Sequence, residues 1–206
     1  MKRFLVTFEG GEGSGKSTQL VRLADYLEKK GYPVVRTREP GGTKIGTKIR
    51  SLLLDEKTAG IGYKTELFLC LADRAQHLQE VILPALADHK VVLCDRFTDS
   101  TLIYQGYARG LDFPEMKVLL SYAAEAVVPD LTFLFDIDIK TGQSRLQGRK
   151  EKNRLDHETE LFHQKVRQGY LALAKSGPSR IRLIHADQTE NAIFSIVQKE
   201  IDAFLP

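Results

Sequence analysis

The chain has 206 residues, 42% of them hydrophobic, which suits one globular domain able to bury its own core. With 30 basic and 27 acidic residues the formal charge is +3, so net charge does not point to nucleic acid as a partner, and any basic function must be local. No apolar run approaches the ~20 residues that cross a bilayer, and MKRFLVTFEGG lacks the apolar region and cleavage site of an export signal, which predicts a soluble cytoplasmic protein without a membrane partner.

Short β-branched or aromatic runs alternate with longer stretches of helical period, the pattern of parallel strands joined by crossover helices. FLVTF at Phe4 to Phe8 is the first strand. Leu20, Leu23, Ala24 and Leu27 then recur at helical spacing, and Gly31 after Lys29 and Lys30 marks the end of that helix. VVRT at Val34 to Thr37 is the second strand, and a helix is predicted over Thr65 to Leu83. VVLC at Val91 to Cys94 is the third strand, with a helix over Glu115 to Val127. LTFLF at Leu131 to Phe135 and IRLI at Ile181 to Ile184 complete the strands, with helices over Lys140 to Leu146, Glu158 to Ala174 and Glu190 to Phe204. KTAGIGYK around Gly60 and SGPS around Pro178 read as surface loops. Cys70 and Cys94 lie in apolar segments and read as buried free thiols rather than a disulfide or a metal site. The expectation is an α/β protein with three α/β/α layers, a five-stranded parallel sheet and a single domain over residues 1–206.

The stretch from Gly10 to Thr18 reads GGEGSGKST, and Gly10, Gly15, Lys16 and Ser17 satisfy GxxxxGK[ST] between the first strand and the first helix. Glycines let backbone N–H groups curl around a phosphate, and the helix N-terminus adds partial positive charge. Lys16, read as an exposed loop side chain, reaches the β and γ phosphates, and the Ser17 hydroxyl ligates Mg²⁺. ATP is therefore expected along Gly10, Gly11, Glu12, Gly13, Ser14, Gly15, Lys16, Ser17 and Thr18.

Such a loop serves GTPase switches, ATP-driven machines and small-molecule kinases alike. NRLD at Asn153 to Asp156 approximates a guanine-reading element but follows a charged loop instead of closing a strand, and DRFTD after the third strand lacks the switch glycine. A compact phosphotransferase fits the length best. A regulator that binds nucleotide without turnover stays open.

TREPGG at Thr37 to Gly42 and DRFTDSTLIYQG at Asp95 to Gly106 both follow strand C-termini, where open α/β sheets bind ligands, and ADRAQH at Ala72 to His77 lies on the helix between them. In this order, spanning nearly the whole chain, these stretches resemble bacterial thymidylate kinase. The resemblance implies a P-loop kinase fold that transfers the γ-phosphate of ATP to dTMP with Mg²⁺, in a homodimer. A kinase for another pyrimidine monophosphate, dUMP or UMP, is the alternative within the same chemistry.

The resemblance also implies residue roles. Asp95 lies near Mg²⁺ and the reacting phosphates, and Arg96 clamps the acceptor phosphate, a task suited to a planar fork that never deprotonates. Arg38 lies against the acceptor, Arg74 reads the base, and Tyr104 and Gln105 line sugar and base, with Tyr104 crowding the 2′ position of a ribose. Ser100 and Thr101 flank the same pocket, and Glu12 faces the acceptor sugar. Gly11 to Ser14 contain no arginine, so the transition-state cation is expected from a lid at about residues 142–158, where Arg145, Arg149 and Arg154 are the candidates and Arg149 the catalytic one. One departure stands out: four residues before the base-reading arginine the family usually has a phenylalanine that stacks on thymine, and this chain has Cys70. Phe68, about 120° away from Arg74 around the helix, is expected in the core instead.

Overall fold

The structure is a computed structural model that describes residues 4–55, 58, 60–147 and 153–205. Five strands, β1 (Phe4–Gly10), β2 (Val34–Arg38), β3 (Val91–Asp95), β4 (Leu131–Asp136) and β5 (Ile181–His185), form one sheet in the order β2-β3-β1-β4-β5. Every pairing is parallel, and register places Phe8 beside Asp95 on one side and Phe133 on the other. The order reverses at β1, so the C-terminal ends of β1, β3 and β4 open a crevice at the switch point.

Side-chain alternation divides the core. Phe4, Val6 and Phe8 of β1, with Leu93 and Phe133, face Leu20, Leu23 and Leu27 of α1 (Lys16–Lys29) and Ile193, Val197 and Ile201 of α9 (Glu190–Phe204). Leu5 and Val92 point to the other layer, where they meet Leu78, Ile82 and Ala85. Leu134 on that face packs with Val166 and Tyr170 of α8 (Glu160–Ser176). Each fully buried leucine or isoleucine contributes about 1.5–3 kcal/mol, so the central strand is the best-anchored part of the fold. The three layers and the five strands are those predicted, with every strand starting where the sequence places it.

Helices differ more. α2 (Lys44–Leu54) is not among the predicted helices, although Ile45, Ile49, Leu52 and Leu53 recur at helical spacing; only Gly46 and Leu53 are buried, and Thr43 starts the helix by accepting from the Gly46 N–H at 2.8 Å. The helix predicted over Thr65 to Leu83 divides into α3 (Tyr63–His77), a π-helical turn at Leu78–Ile82, and α4 (Leu83–Ala87), which begins at a proline-bearing first turn. After β3, α5 (Thr98–Thr101) runs into a second π-helical turn at Leu102–Ala108. α6 (Phe113–Ala123) is capped by Asp112 and stops before the predicted Val127, since Glu125 and Ala126 take left-handed backbone at φ 47° and 56°. α7 (Ile139–Leu146) follows β4, and Arg154–His157 form a 3₁₀ turn before α8. Phe68 is 57% exposed, which corrects its expected place in the core: its face of α3 points outward.

Candidate active site

β1 delivers the phosphate-binding loop. Gly10 has φ 134°, and a Cβ there would lie 2.3 Å from the Phe135 carbonyl oxygen; at Gly13, φ 72°, it would lie 2.2 Å from that of Gly142. Glycine alone permits this close approach of loop to β4 and α7. The loop closes on Gly15, which caps α1 without a side chain. Lys16 is buried, not exposed as the sequence suggested: its Nζ donates to the carbonyls of Gly10 at 3.0 Å and Gly11 at 2.6 Å and to Ser14 Oγ at 3.2 Å. Burial, aided by the Arg96 charge, brings its pKa down to about 8. Ser17 and Thr18 stand exposed in the first turn of α1, and Ser17 Oγ donates to Asp95 Oδ2 at 2.5 Å.

Facing this loop, Arg96 has φ 71° and is gripped on several sides. Its guanidinium donates to Glu12 Oε1 at 2.9 Å and to Ser100 Oγ at 3.2 Å, and lies 4.9 Å from the Tyr104 ring centre. The Tyr104 hydroxyl donates to Glu12 at 2.9 Å. Burial opposes ionisation of Glu12, but the Arg96 and Lys16 charges and the Tyr104 hydroxyl outweigh it and hold its carboxyl below the usual range. Behind Arg96 is a residue the sequence reading missed, Glu9, which accepts from the Phe97 N–H at 2.8 Å, Ser100 Oγ at 2.6 Å and the Tyr170 hydroxyl at 2.8 Å. Burial, with the Asp99 charge, raises its pKa to about 7.

α3 builds the adjoining wall. Arg74, 2% exposed, pairs through Nη2 with Glu39 Oε2 at 2.7 Å and donates to Thr101 Oγ1 at 3.0 Å, while its Nη1 is buried with no partner among the described residues. Glu39 also binds His77 Nδ1 at 2.9 Å, and His77 Nε2 meets Thr37 Oγ1 at 2.5 Å. Asp73 accepts from the Gly41 N–H at 2.9 Å, tying the TREPGG loop to α3. Burial, with the Glu39 charge, raises the Asp73 pKa to about 6. Cys70 is half-buried on the same wall, and burial pushes its thiol up to about 12.

Glu66 is, like Glu9, a buried carboxylate that the sequence reading missed. It accepts from Gln105 Nε2 at 2.8 Å, Arg109 Nη2 at 3.3 Å and Arg154 Nη2 at 2.5 Å. Its burial disfavours the charge, but these donors hold its carboxyl below the usual range. Its spacing was a usable signal: Glu66, Cys70 and Arg74 stand four apart and share a helix face.

One cleft of about 380 Å³ collects Lys16, Ser17, Glu12, Asp95, Arg96 and the wall of α3. At one end are Gly13 to Thr18; at the other are Arg38, Cys70, Arg74, Ser100, Thr101, Tyr104 and Gln105, with Glu12, Asp95 and Arg96 between. Gly10 and Gly11 lie behind the loop, against β4. Ser100 is turned toward Glu9, and exposed Arg38 reaches the rim. The lid candidates separate. Arg145 is exposed beside the phosphate loop and donates to the Ala186 carbonyl at 3.0 Å, whereas Arg154, which lines the same cleft, is held by Glu66 and the Leu53 carbonyl. Arg149 lies outside the described residues.

A strand, a glycine loop and a helix N-terminus, set opposite an arginine-lined cleft at a topological switch point, define a P-loop phosphotransferase. The family model described as thymidylate kinase matches residues 8–197. The chain belongs to the thymidylate kinase family. It is 48% identical to a thymidylate kinase of Desulfovibrio desulfuricans, over 97% of this chain and 95% of that one. It is 50% identical to one from Solidesulfovibrio magneticus, over 94% and 98%. A crystal structure of thymidylate kinase from Ehrlichia chaffeensis superposes with TM-score 0.80 at 35% identity, covering 98% of this chain and 99% of that one.

Proposed function

We propose that the cleft transfers the γ-phosphate of ATP to the phosphate of dTMP, giving dTDP for dTTP synthesis. The enzyme is a dTMP kinase by family, and the observation that supports this use of its cleft is the opposition of Lys16 and Ser17 to Arg96 and Arg74 across one cavity. The acceptor's own phosphate oxygen attacks, so no protein nucleophile is needed, and the side chains position and neutralise charge. Arg96, preorganised by Glu12 and Ser100, clamps the acceptor phosphate. Arg74 offers its unpartnered Nη1 to a base carbonyl, and the Tyr104–Glu12 pair fences the sugar. Lys16 exchanges its loop carbonyls for ATP phosphate oxygens.

Mg²⁺ suits this donor set, because Ser17 and Asp95 present hard oxygen atoms 2.5 Å apart that would hold it. The chemistry supplied by such an ion would be neutralisation of charge on the transferred phosphoryl group. The segment 142–158 is proposed as the lid of a single domain, with Arg149 covering the moving phosphate, and Arg145 beside the phosphate loop. A homodimer in the cytoplasm completes the proposal; the exposed apolar residues Phe68 of α3 and Val118 and Tyr122 of α6 suit a subunit interface. No helix among the described residues is long and apolar enough to cross a membrane.

A coupled ADP-release assay over dTMP, dUMP and UMP tests the reading. Acceptor-dependent ADP release, highest with dTMP, is expected. Preference for UMP would reassign the acceptor, and no acceptor-dependent release would leave a nucleotide-binding regulator.

A further inference from the structure

Gln105 and Arg74 line the same cleft, but only one of them has a fixed hydrogen-bonding character. A guanidinium donates whatever its orientation; a glutamine amide presents either a donor or an acceptor, depending on which way it is turned. Here the choice is made by a neighbour. Glu66, 1% exposed, meets Gln105 at 2.8 Å and is shared with the guanidiniums of Arg109 and Arg154. A carboxylate between two cations has lone pairs and no proton, so the Gln105 atom that meets it must be the N–H₂. The reversed amide would set carbonyl and carboxylate oxygens against each other inside the protein, where that contact is most costly.

We infer that Glu66 is a specificity-determining positioning residue: by holding Gln105 Nε2 it turns Oε1 toward the acceptor base and makes the cleft selective for a pyrimidine whose ring nitrogen carries a proton. The inference rests on the dTMP reading above. Arg74 Nη1, buried without a partner among the described residues, supplies a donor on the same wall. Donor beside acceptor is the complement of an imide edge, a carbonyl next to a ring N–H, which thymine and uracil possess. Cytosine presents the reverse, an amine next to a bare ring nitrogen. Glu66 touches no substrate in this scheme and acts through Gln105 alone. A site whose polar groups are locked in this way rejects the wrong edge strongly, because the buried groups are left unpaired.

The test is a double-mutant cycle reading the ratio of kcat/KM for dTMP over dCMP in the parent, Glu66→Gln, Gln105→Met and the double variant. A neutral amide at position 66 can donate to Gln105 Oε1 and so permits the reversed orientation. The ratio should fall about tenfold or more in Glu66→Gln, mainly through KM, and the same substitution should leave it within about twofold in the Gln105→Met background. Loss of charge beside Arg109 and Arg154 affects both acceptors alike and cancels in the ratio. A folded Glu66→Gln enzyme with unchanged selectivity overturns the inference, as does an equal fall in both backgrounds. If Glu66→Gln does not fold, Glu66→Asp keeps the charge but draws it back from Gln105; its ratio should fall as well, and an unchanged ratio overturns the inference. A parent that phosphorylates no monophosphate overturns the functional reading and this inference with it, an outcome distinct from lost selectivity in an active enzyme.

Discussion

The Ser17 hydroxyl donates to Asp95 Oδ2 across 2.5 Å, joining the first turn of α1 to the end of β3 at the mouth of the cleft. A serine hydroxyl and a carboxylate so close are poised to share a small oxygen-loving cation. Asp95→Asn keeps the shape and removes the charge. It should raise the Mg²⁺ concentration needed for half-maximal turnover by about tenfold or more while leaving thermal stability nearly unchanged. The check is a Mg²⁺ titration of dTMP-dependent ADP release, and an unaltered titration would remove Asp95 from the metal site.

Lys16→Ala should abolish most turnover without unfolding the protein. Among the described residues the hydrogen bonds of the lysine go to its own loop, to Gly10, Gly11 and Ser14, so its loss should cost the fold little. The cation proposed to neutralise the moving phosphate would be lost, for which a fall of about a hundredfold or more in kcat is expected. Steady-state kinetics alongside a melting curve decide the matter: a folded variant with parental kcat contradicts the assignment.

Glu9 carries a pH dependence whose sign can be worked out. Its pKa, raised by burial and then by Asp99 to about 7, exceeds the ordinary 4.5, so between these values the native state binds more protons than the unfolded chain. The stabilising contribution is present below about pH 4.5 and is lost as pH rises through 7. Relative to Glu9→Gln, which does not titrate, the parent should therefore lose roughly 1–3 kcal/mol between pH 4.5 and 7. Urea unfolding of both proteins at several pH values measures this difference, and a flat difference would show that Glu9 titrates alike in the native and unfolded states.

How much could be read beforehand follows from what sequence encodes locally. The strands were legible because β1, β3 and β4 are apolar runs buried on both faces, and the phosphate loop because its glycines and Lys16 are adjacent in the chain. α2 was legible but overlooked: Ile45, Ile49, Leu52 and Leu53 recur at helical spacing, although Ile45 and Leu52 of that stripe stay about half exposed. The buried carboxylates were not legible, because their meaning is tertiary: Glu9 finds Tyr170, 161 positions away, and Glu66 finds Arg154, 88 positions away. Lys16 was misread as exposed for the same reason, as only the folded loop shows that its Nζ turns back inside.

Tyr104 should govern the choice between deoxyribose and ribose. Its hydroxyl is held by both oxygens of Glu12 at 2.9 Å, and its ring lies under the Arg96 guanidinium, so the side chain cannot easily swing aside for a 2′ hydroxyl. Tyr104→Ala should reduce the preference for dTMP over its ribose counterpart by about tenfold, through the KM of the ribonucleotide. Equal selectivity in variant and parent would leave Tyr104 a purely structural role.

The wall around Cys70 offers the sharpest test of how this chain departs from its family. Glu66, Cys70 and Arg74 follow one another at four-residue spacing along the cleft face of α3, so Cys70 sits one turn from the arginine assigned to the base. The thiol is neutral at working pH, since burial pushes it up to about 12, and it offers the base neither charge nor a π face. Phe68 does not fill the gap: it is 57% exposed, on the outward face of the helix. Cys70→Phe would restore an aromatic ring where the family usually places one. Stacking of roughly 0.5–1.5 kcal/mol corresponds to a KM for dTMP about two- to tenfold lower at saturating ATP. kcat should change little, because the base lies away from the reacting phosphates. A folded Cys70→Phe enzyme whose KM for dTMP is unchanged or higher would mean that another side chain already covers this side of the base, and the placement of thymine against α3 would have to be redrawn.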